Sequence, residues 1–390
     1  MPDDWIQYLL KHEHDDPIKI LLGRKSIHGY SAEFVANQID CRRRAKEKLP
    51  TWYINPEIVY PPKQNLEQCS SEAAAKFKMH FISHAIAQSS ATLIDLTGGF
   101  GVDGYFFSRV FKKVIHVEPN ESLGQLAKEN HARLGATNIE HVNQTAENFL
   151  NDEKGKADWI YIDPSRKAQG KKIVKLSECE PDVTQLLPSI WAKTGQILIK
   201  AAPLLDLKEG LRQLPNTARV LVVSVGNECK EVLFHLQKDF VDEPEIICAN
   251  IQSQQEEQFT FRLSDEAAAV AILSEPKEFL YEPNASILKA GAFKKIGQAF
   301  GLSKLAVNTH MYTHQELVEQ FPGRVFKILG DLSAKAQLLP EGTANIIARN
   351  YPLSPDAIKK KYKLNDGGER YVLGCSTGKK KYLFVAERVR

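Results

Sequence analysis

The stretch Thr-Leu-Ile-Asp-Leu-Thr-Gly-Gly-Phe-Gly-Val-Asp, from Thr92 to Asp103, constrains this chain more than any other. A short apolar run meets an acid and then breaks into glycines. Leu93, Ile94 and Leu96 read as a buried strand that brings Asp95 to its C-terminal edge, where open α/β sheets bind their ligands. Gly98, Gly99 and Gly101 let the backbone pass close beneath a bound molecule and take positive φ where a side chain forbids it. Glycine punctuation also occurs in plain strand-to-helix turns, so the neighbouring segments must decide between the two readings.

The next strand sharpens the reading. Residues 113–118, Lys-Val-Ile-His-Val-Glu, form a second apolar run ending in an acid, and Pro119-Asn120 stops it. An acid about 20 residues beyond a glycine loop suits the two hydroxyls of an adenosine ribose. That logic fits both a dinucleotide and S-adenosylmethionine. A dinucleotide site wants Gly-x-Gly-x-x-Gly opening a helix towards a pyrophosphate. Here the spacing is Gly98-Gly99-x-Gly101, with Asp95 before it and Asp103 after it. Two carboxylates repel a pyrophosphate and suit the amino group and sulfonium of S-adenosylmethionine.

A third element, Asp-Trp-Ile-Tyr-Ile-Asp at 158–163, reads as a strand running into Pro164-Ser165-Arg166-Lys167. The order of these pieces, with a first motif at 95–101 and a fourth at 163–166, resembles the class I S-adenosylmethionine-dependent methyltransferases. The resemblance implies a cofactor lined by Asp95, Thr97, Gly98, Gly99, Gly101 and Asp103, with Glu118 and Pro119 at the ribose. It also implies that Thr145 and Ala146, after a strand at 139–142, lie against the adenine, although the family often has Asp where Thr145 stands. Asp163, which also touches the cofactor, then lines the methyl-transfer pocket with Pro164, Ser165, Arg166 and Lys200.

Composition is that of a globular protein: 43% hydrophobic and 25% charged residues over 390 positions, enough for more than one core. No apolar run reaches the roughly 20 residues needed to span a membrane, and the start lacks a basic-then-apolar signal layout, so a cytoplasmic protein is expected. The six cysteines show no Cys-x-x-Cys pair and read as reduced thiols, with no metal site and no disulfide framework implied. Charge is uneven. From Val325 onward nine Lys and four Arg face three Asp and three Glu, a net +7 against +3 for the whole chain. Its clusters are Lys359-Lys360-Lys361-x-Lys363 and Lys379-Lys380-Lys381, and a further cluster is Arg42-Arg43-Arg44-x-Lys46-x-Lys48. With Tyr362, Tyr371 and Tyr382 nearby, such patches suit phosphate neutralisation and base stacking, or simply solvated faces.

Along the chain, residues 1–60 read as a helical extension, and Ser70 or Ser71 caps a helix from Glu72 whose apolar face holds Phe77, Phe81 and Ile82. Strand and helix patterns then alternate: strands at 196–200, 219–225 and 259–263 bring the count to about seven, which argues a mostly parallel sheet covered by helices. The last two read as the antiparallel pair that ends it. His116, inside the second strand, reads as a satisfied sheet residue. Beyond a boundary at 276–283, the pattern predicts a helix over 287–300, a strand over 305–312, a helix over 314–320 and a strand over 324–329. The whole layout resembles methyltransferases that carry a small ferredoxin-like segment and a C-terminal THUMP-like domain. The residues that carry it include Glu67-Gln68-Cys69-Ser70-Ser71-Glu72, Ser224-Val-Gly-Asn-Glu-Cys-Lys-Glu, Ala348-Arg-Asn-Tyr-Pro and Gly367-Gly-Glu-Arg-Tyr. The expected fold is therefore α/β: a Rossmann-like seven-stranded methyltransferase sheet at 61–272 after a helical extension at 1–60. A ferredoxin-like α+β segment follows at 278–324, and a basic THUMP-like domain at 325–390.

The resemblance implies an RNA substrate, tRNA or rRNA, gripped by the basic C-terminal domain and the 42–48 cluster. It leaves the acceptor open between a base nitrogen and a ribose 2′-oxygen. The exocyclic-amine pattern of Pro-Pro-aromatic is replaced by Pro164-Ser165-Arg166, and Cys179 is the thiol nearest in sequence for attack on a pyrimidine ring. Lys78 or Lys76, Asp163, Lys200, and Glu228 or Glu231 fall in the order of a 2′-O set. A methyltransferase for a small molecule or a protein, and a silent RNA-binding protein of the same fold, are the alternative readings.

Overall fold

The structure, a computed structural model, describes residues 4–23, 25–86, 90–152, 155–166, 175–253, 255–378 and 380–390. Lys167, the last residue of the Asp-Pro-Ser-Arg-Lys run, and Lys379 of the final basic cluster lie outside the described residues. The chain divides into two compact units, one of residues 1–218 with 232–242 and one of 219–231 with 243–390.

Among the described residues, nine strands of four or more residues follow in chain order through the first two-thirds of the molecule. They are β1 (Thr92–Asp95), β2 (Lys113–Val117), β3 (Ile139–Val142), β4 (Trp159–Ile162), β5 (Gln196–Ala201), β6 (Thr217–Val225), β7 (Glu228–Gln237), β8 (Glu245–Ile251) and β9 (Glu256–Phe261). In the first unit the order is β7-β5-β4-β1-β2-β3, all parallel except β7, which runs antiparallel to β5. β4 is apolar along its whole length, as a parallel strand covered on both faces is: Trp159, Ile160, Tyr161 and Ile162 are all buried. In the second unit β8 lies parallel to β6 and antiparallel to β9. The sheet is thus the expected parallel-rich one, β7 and β8 are additions to the seven strands read from sequence, and β6 and β9 are not the antiparallel pair expected, because β8 lies between them. The signal for β7 was present: Gly226 and Asn227 both take positive φ, a two-residue reversal directly after β6.

The N-terminal extension is helical, as its pattern indicates, and its longest helix is Ala32–Lys48. Trp52 is fully buried and packs its ring against Tyr105 at 4.8 Å and Phe106 at 5.9 Å, so the extension shares one core with the helix that follows the glycine loop. Helix Glu72–Ser83 is capped by Ser71, whose hydroxyl accepts from Ala74 N–H. Ser70 is thereby released for another role.

The second unit continues with β10 (Phe279–Pro283), β11 (Ser303–Ala306), β12 (Thr309–His314), β13 (Gly323–Asp331), β14 (Asn345–Arg349), β15 (Arg370–Ser376) and β16 (Lys381–Arg388). They form one sheet in the order β11-β12-β10-β13-β16-β15-β14, antiparallel except for β14 beside β15. Three expectations are corrected here. The strand expected over 305–312 is two, β11 and β12, which pair antiparallel across a turn at 307–308. The helix expected over 287–300 is two short ones, Ala285–Ala290 and Lys295–Ala299, because Gly291 ends the first at φ +80°. The helix expected over 314–320 is absent: Tyr281 Oη donates to Glu316 O at 2.8 Å and accepts from Val318 N–H at 2.9 Å, and the segment these bonds hold is a series of bends and turns.

Candidate active site

The C-terminal edge of β1 and β2 is assembled by backbone groups. Leu96 N–H donates to Tyr161 O and Gly98 N–H to Val117 O, so the glycine loop is pinned to both neighbouring strands. Asp95 Oδ1 accepts from Thr97 N–H at 3.1 Å, and Thr97 Oγ1 accepts from Asp163 N–H at 2.6 Å, which ties the first motif to the fourth. The Glu118 carboxylate clamps the loop. One oxygen accepts from Gly99 N–H at 2.8 Å and the other from Asn120 N–H at 2.9 Å. Gly99 takes φ +54°, and a Cβ built there meets nothing closer than Thr97 O at 3.8 Å, so this face of the loop is open. Gly101 takes φ +85° as the N-cap of Val102–Phe107.

Four carboxylates gather at this edge. Burial, then the neighbouring charges of Asp103, Asp163 and Glu118, push the Asp95 carboxyl well above the usual range, against the bond from Thr97 N–H. Asp103 is the reverse case. Burial pushes it up, but Lys78 and Lys200 and hydrogen bonds from Ser70 and Tyr161 hold it below the usual range. Its Oδ2 accepts from Ser70 Oγ at 2.8 Å and from Tyr161 Oη at 2.9 Å, while Lys78 Nζ lies 3.2 Å from Oδ1. Lys78 is 0% exposed and also donates to Ser70 Oγ. Lys200 pairs with Asp163, the partners being 13% and 29% exposed. Counted as ionised, Asp95, Asp103, Glu118 and Asp163 exceed Lys78 and Lys200 by two negative charges, and by one where the buried Asp95 carboxyl keeps its proton. These residues fit a cationic, ribose-bearing group and repel a pyrophosphate.

Beneath the loop stand three histidines that the sequence reading assigned no role. His131 Nε2–H donates to Gly101 O at 2.8 Å, which leaves Nδ1 to accept from His141 Nε2–H at 2.9 Å. Burial and His141 push His131 down to about 4, against the bond to Gly101; burial and Lys128 push His141 down to about 4. His116 corrects the reading of it as satisfied: neither ring nitrogen has a hydrogen-bond partner among the described residues. Its burial, with His131 and His141 close by, pushes it well below the usual imidazole range.

The other expected residues fall as follows. Thr145 caps helix Ala146–Asn151, its hydroxyl accepting from Asn148 N–H, and Ala146 is buried. Asn143 donates to Glu118 O and Pro119 O, joining this segment to the end of β2. After Pro164, Ser165 and Arg166 pair antiparallel with Glu180 and Cys179, so Cys179 lies beside the fourth motif in space. Cys69 is a second thiol there, pushed up to about 11 by burial, with Lys48, Asp103, Lys200 and Asp163 as its charged neighbours. Lys76 pairs with Glu72 at 2.7 Å, half exposed, so Lys78 alone reaches the acid cluster. Glu228 is exposed and pairs with Lys230, whereas Glu231 is buried. Most of the 42–48 cluster is engaged with protein partners, although only Arg42 is buried: Arg42 faces Glu13, Arg43 donates to Asp15 O, Arg44 pairs with Asp40 and Glu67, and Lys48 donates to Leu66 O and Glu67 O. Tyr362, Tyr371 and Tyr382 pack half-buried against the two C-terminal cores.

Strand order, glycine loop and acid edge together define the methyltransferase class of α/β fold. The C-terminal residues match two domain families, a ferredoxin-like domain at 279–322 and a THUMP domain-like family at 323–388, and the chain carries both. It superposes along its whole length on the crystal structure of a candidate methyltransferase from Porphyromonas gingivalis W83. The TM-score is 0.86 at 28% identity, covering 100% of this chain and 98% of that one. It is also 26% identical over 147 residues to an uncharacterised RNA methyltransferase from Thermotoga maritima, a match covering 35% of this chain and 34% of that protein. The chain thus spans about a third of the length of that relative. Among the described residues no helix is long and apolar enough to cross a membrane.

A Cβ at Gly98 would stand 2.3–2.5 Å from the His116 ring. Gly98→Ala should therefore cost about 1–3 kcal/mol in urea unfolding, and His116→Ala in the same chain should recover part of the loss. A second prediction concerns pH. His131 and His141 bind protons near 6.5 when unfolded and near 4 when folded, so between those values the unfolded chain holds more protons. Their contribution to stability is complete above about pH 6.5 and is lost as pH falls towards 4. A melting temperature that falls over this interval, and falls less in His141→Gln, is the expected result.

Proposed function

We propose that this protein is an S-adenosylmethionine-dependent methyltransferase that modifies RNA, tRNA or rRNA, at a base nitrogen. The observation that carries the cofactor is the acid edge: four carboxyl groups against two lysines around a glycine loop with one open face. Gly99 and Gly101 shape that face, and Glu118 presents to a ribose the lone pairs its two backbone bonds leave over. Asp95 offers a buried carboxylate to an amino group or sulfonium. Bound there, S-adenosylmethionine supplies an electrophilic methyl group. Asp163 lies at the mouth of the site and accepts a hydrogen bond from the acceptor nitrogen, and Lys200 holds that carboxylate in position.

Two observations favour nitrogen over a ribose oxygen. A 2′-O set requires a lysine that reaches the hydroxyl, and Lys78 is fully buried and committed to Asp103 and Ser70. Glu228 is already paired with Lys230. Support for RNA comes from the THUMP-like domain, from the +7 charge of residues 325–390 and from the T. maritima relative. Transfer of labelled methyl from S-adenosylmethionine to total RNA of cells lacking the protein, followed by nucleoside mass spectrometry, tests the proposal. One labelled N-methyl nucleoside is expected, and Asp163→Asn should lower kcat by about 100-fold or more with cofactor affinity little changed. Label appearing only in protein or small-molecule fractions would overturn it.

A further inference from the structure

The second unit contains a polar cavity of about 460 Å³ that the methyl-transfer reading does not use. Its walls come from segments the sequence marks out separately: the Gly226-Asn227 reversal, the ends of β8 and β9, Asn284, and the arginines Arg324, Arg349 and Arg388. The floor is rigid. Glu257 Oε2 accepts from both Asn250 Nδ2 and Asn284 Nδ2, and Asn227 is fixed by its N–H to Asn250 Oδ1 and by its Oδ1, which accepts from Ala285 N–H. The amides are therefore committed to one another, and the arginines supply the free chemistry.

Glu282 organises them. It is 2% exposed and sits opposite Arg324 across β10 and β13. One of its oxygens accepts from Arg324 Nε at 2.8 Å and Nη2 at 2.5 Å, the other from Arg349 Nε at 2.6 Å. One carboxylate thus fixes two guanidinium groups and neutralises one. Arg349 commits only Nε, and Arg388 only its Nε, to Arg390 O at 2.7 Å, so the Nη groups of both have no partner among the described residues. Three arginines line this space against one glutamate, Glu257, and Arg390 lies 3.6 Å from that glutamate. Planar forks held in advance by a buried acid suit bidentate contact with phosphate oxygens, because their side-chain freedom is lost before the ligand arrives. A cavity of this volume admits one nucleotide.

We infer that this cavity is a phosphate site, taking the phosphate group of a nucleotide through Arg349 and Arg388. It rests on the RNA proposal only for the polymer that carries the phosphate; the cavity is built entirely within the second unit. Full-length protein is titrated with a short 5′-phosphorylated RNA, the same RNA with a 5′-hydroxyl, and AMP, at two salt concentrations, with S-adenosylmethionine binding followed in parallel. Arg349→Ala should weaken the phosphorylated RNA about tenfold or more and lower the salt slope by about one. Arg349→Lys should restore only part, since an ammonium lacks the fork. Arg388→Ala removes a charge without stripping Glu282, so it keeps the test valid should Arg349→Ala unfold. Loss of AMP binding in the same variants assigns the phosphate to free nucleotides, and loss confined to RNA assigns it to a strand; both support the site. Unchanged binding of all three ligands in folded Arg349→Ala and Arg388→Ala would overturn it. That outcome with RNA methylation intact sinks the phosphate site alone. Arginine-dependent AMP binding without RNA methylation sinks the RNA proposal alone.

Discussion

A fully buried ammonium holds the acid edge together. Asp95, Asp103, Glu118 and Asp163 converge where two parallel strands end, and carboxylates this close and this buried oppose one another. Lys78, reaching in from helix Glu72–Ser83, meets Asp103 and shares Ser70 with it, so Asp103 stays ionised inside the protein. Removing one partner of such a pair commonly costs about 3–5 kcal/mol, because the other charge is left buried alone. The compensation is incomplete by design of the fold. Asp95 is left with its carboxyl pushed up, and a cationic ligand relieves that strain where an anion would add to it.

The parts of this edge that were legible in the sequence are the local ones. A strand that ends in an acid, a glycine loop and a second acid 23 positions on each express a backbone requirement within a few residues, and Asp95, Glu118 and Asp163 stand where those patterns put them. Choices that depend on distant partners were not legible. Ser70 and Ser71 are equal candidates for a helix cap until Asp103, 33 residues on, takes Ser70 away. Lys76 and Lys78 differ only in which side of the helix they occupy, and packing decides that one pairs on the surface with Glu72 while the other is enclosed. His116, His131 and His141 look like unrelated sheet and helix residues, yet their rings meet at 5.1–5.7 Å beneath the loop.

The same contrast governs charge. The Arg42–Lys48 run reads as a basic patch, but helix geometry turns its members onto Glu13, Asp40, Glu67 and backbone carbonyls, and Lys46 is left exposed. Arg324, Arg349 and Arg388, scattered through the sequence with no run to mark them, are brought together by the pairing of β10 with β13 and by the buried Glu282. Clustering in sequence and clustering in space are separate properties, and only the second concentrates a field.

The central claim is that the acid edge selects a cationic, ribose-bearing cofactor over a pyrophosphate-bearing one. Calorimetric titration of the full-length protein with S-adenosylmethionine and with NAD tests it most directly. The account predicts binding of S-adenosylmethionine, its loss in Glu118→Ala, and no binding of NAD. Binding of NAD without S-adenosylmethionine would contradict it.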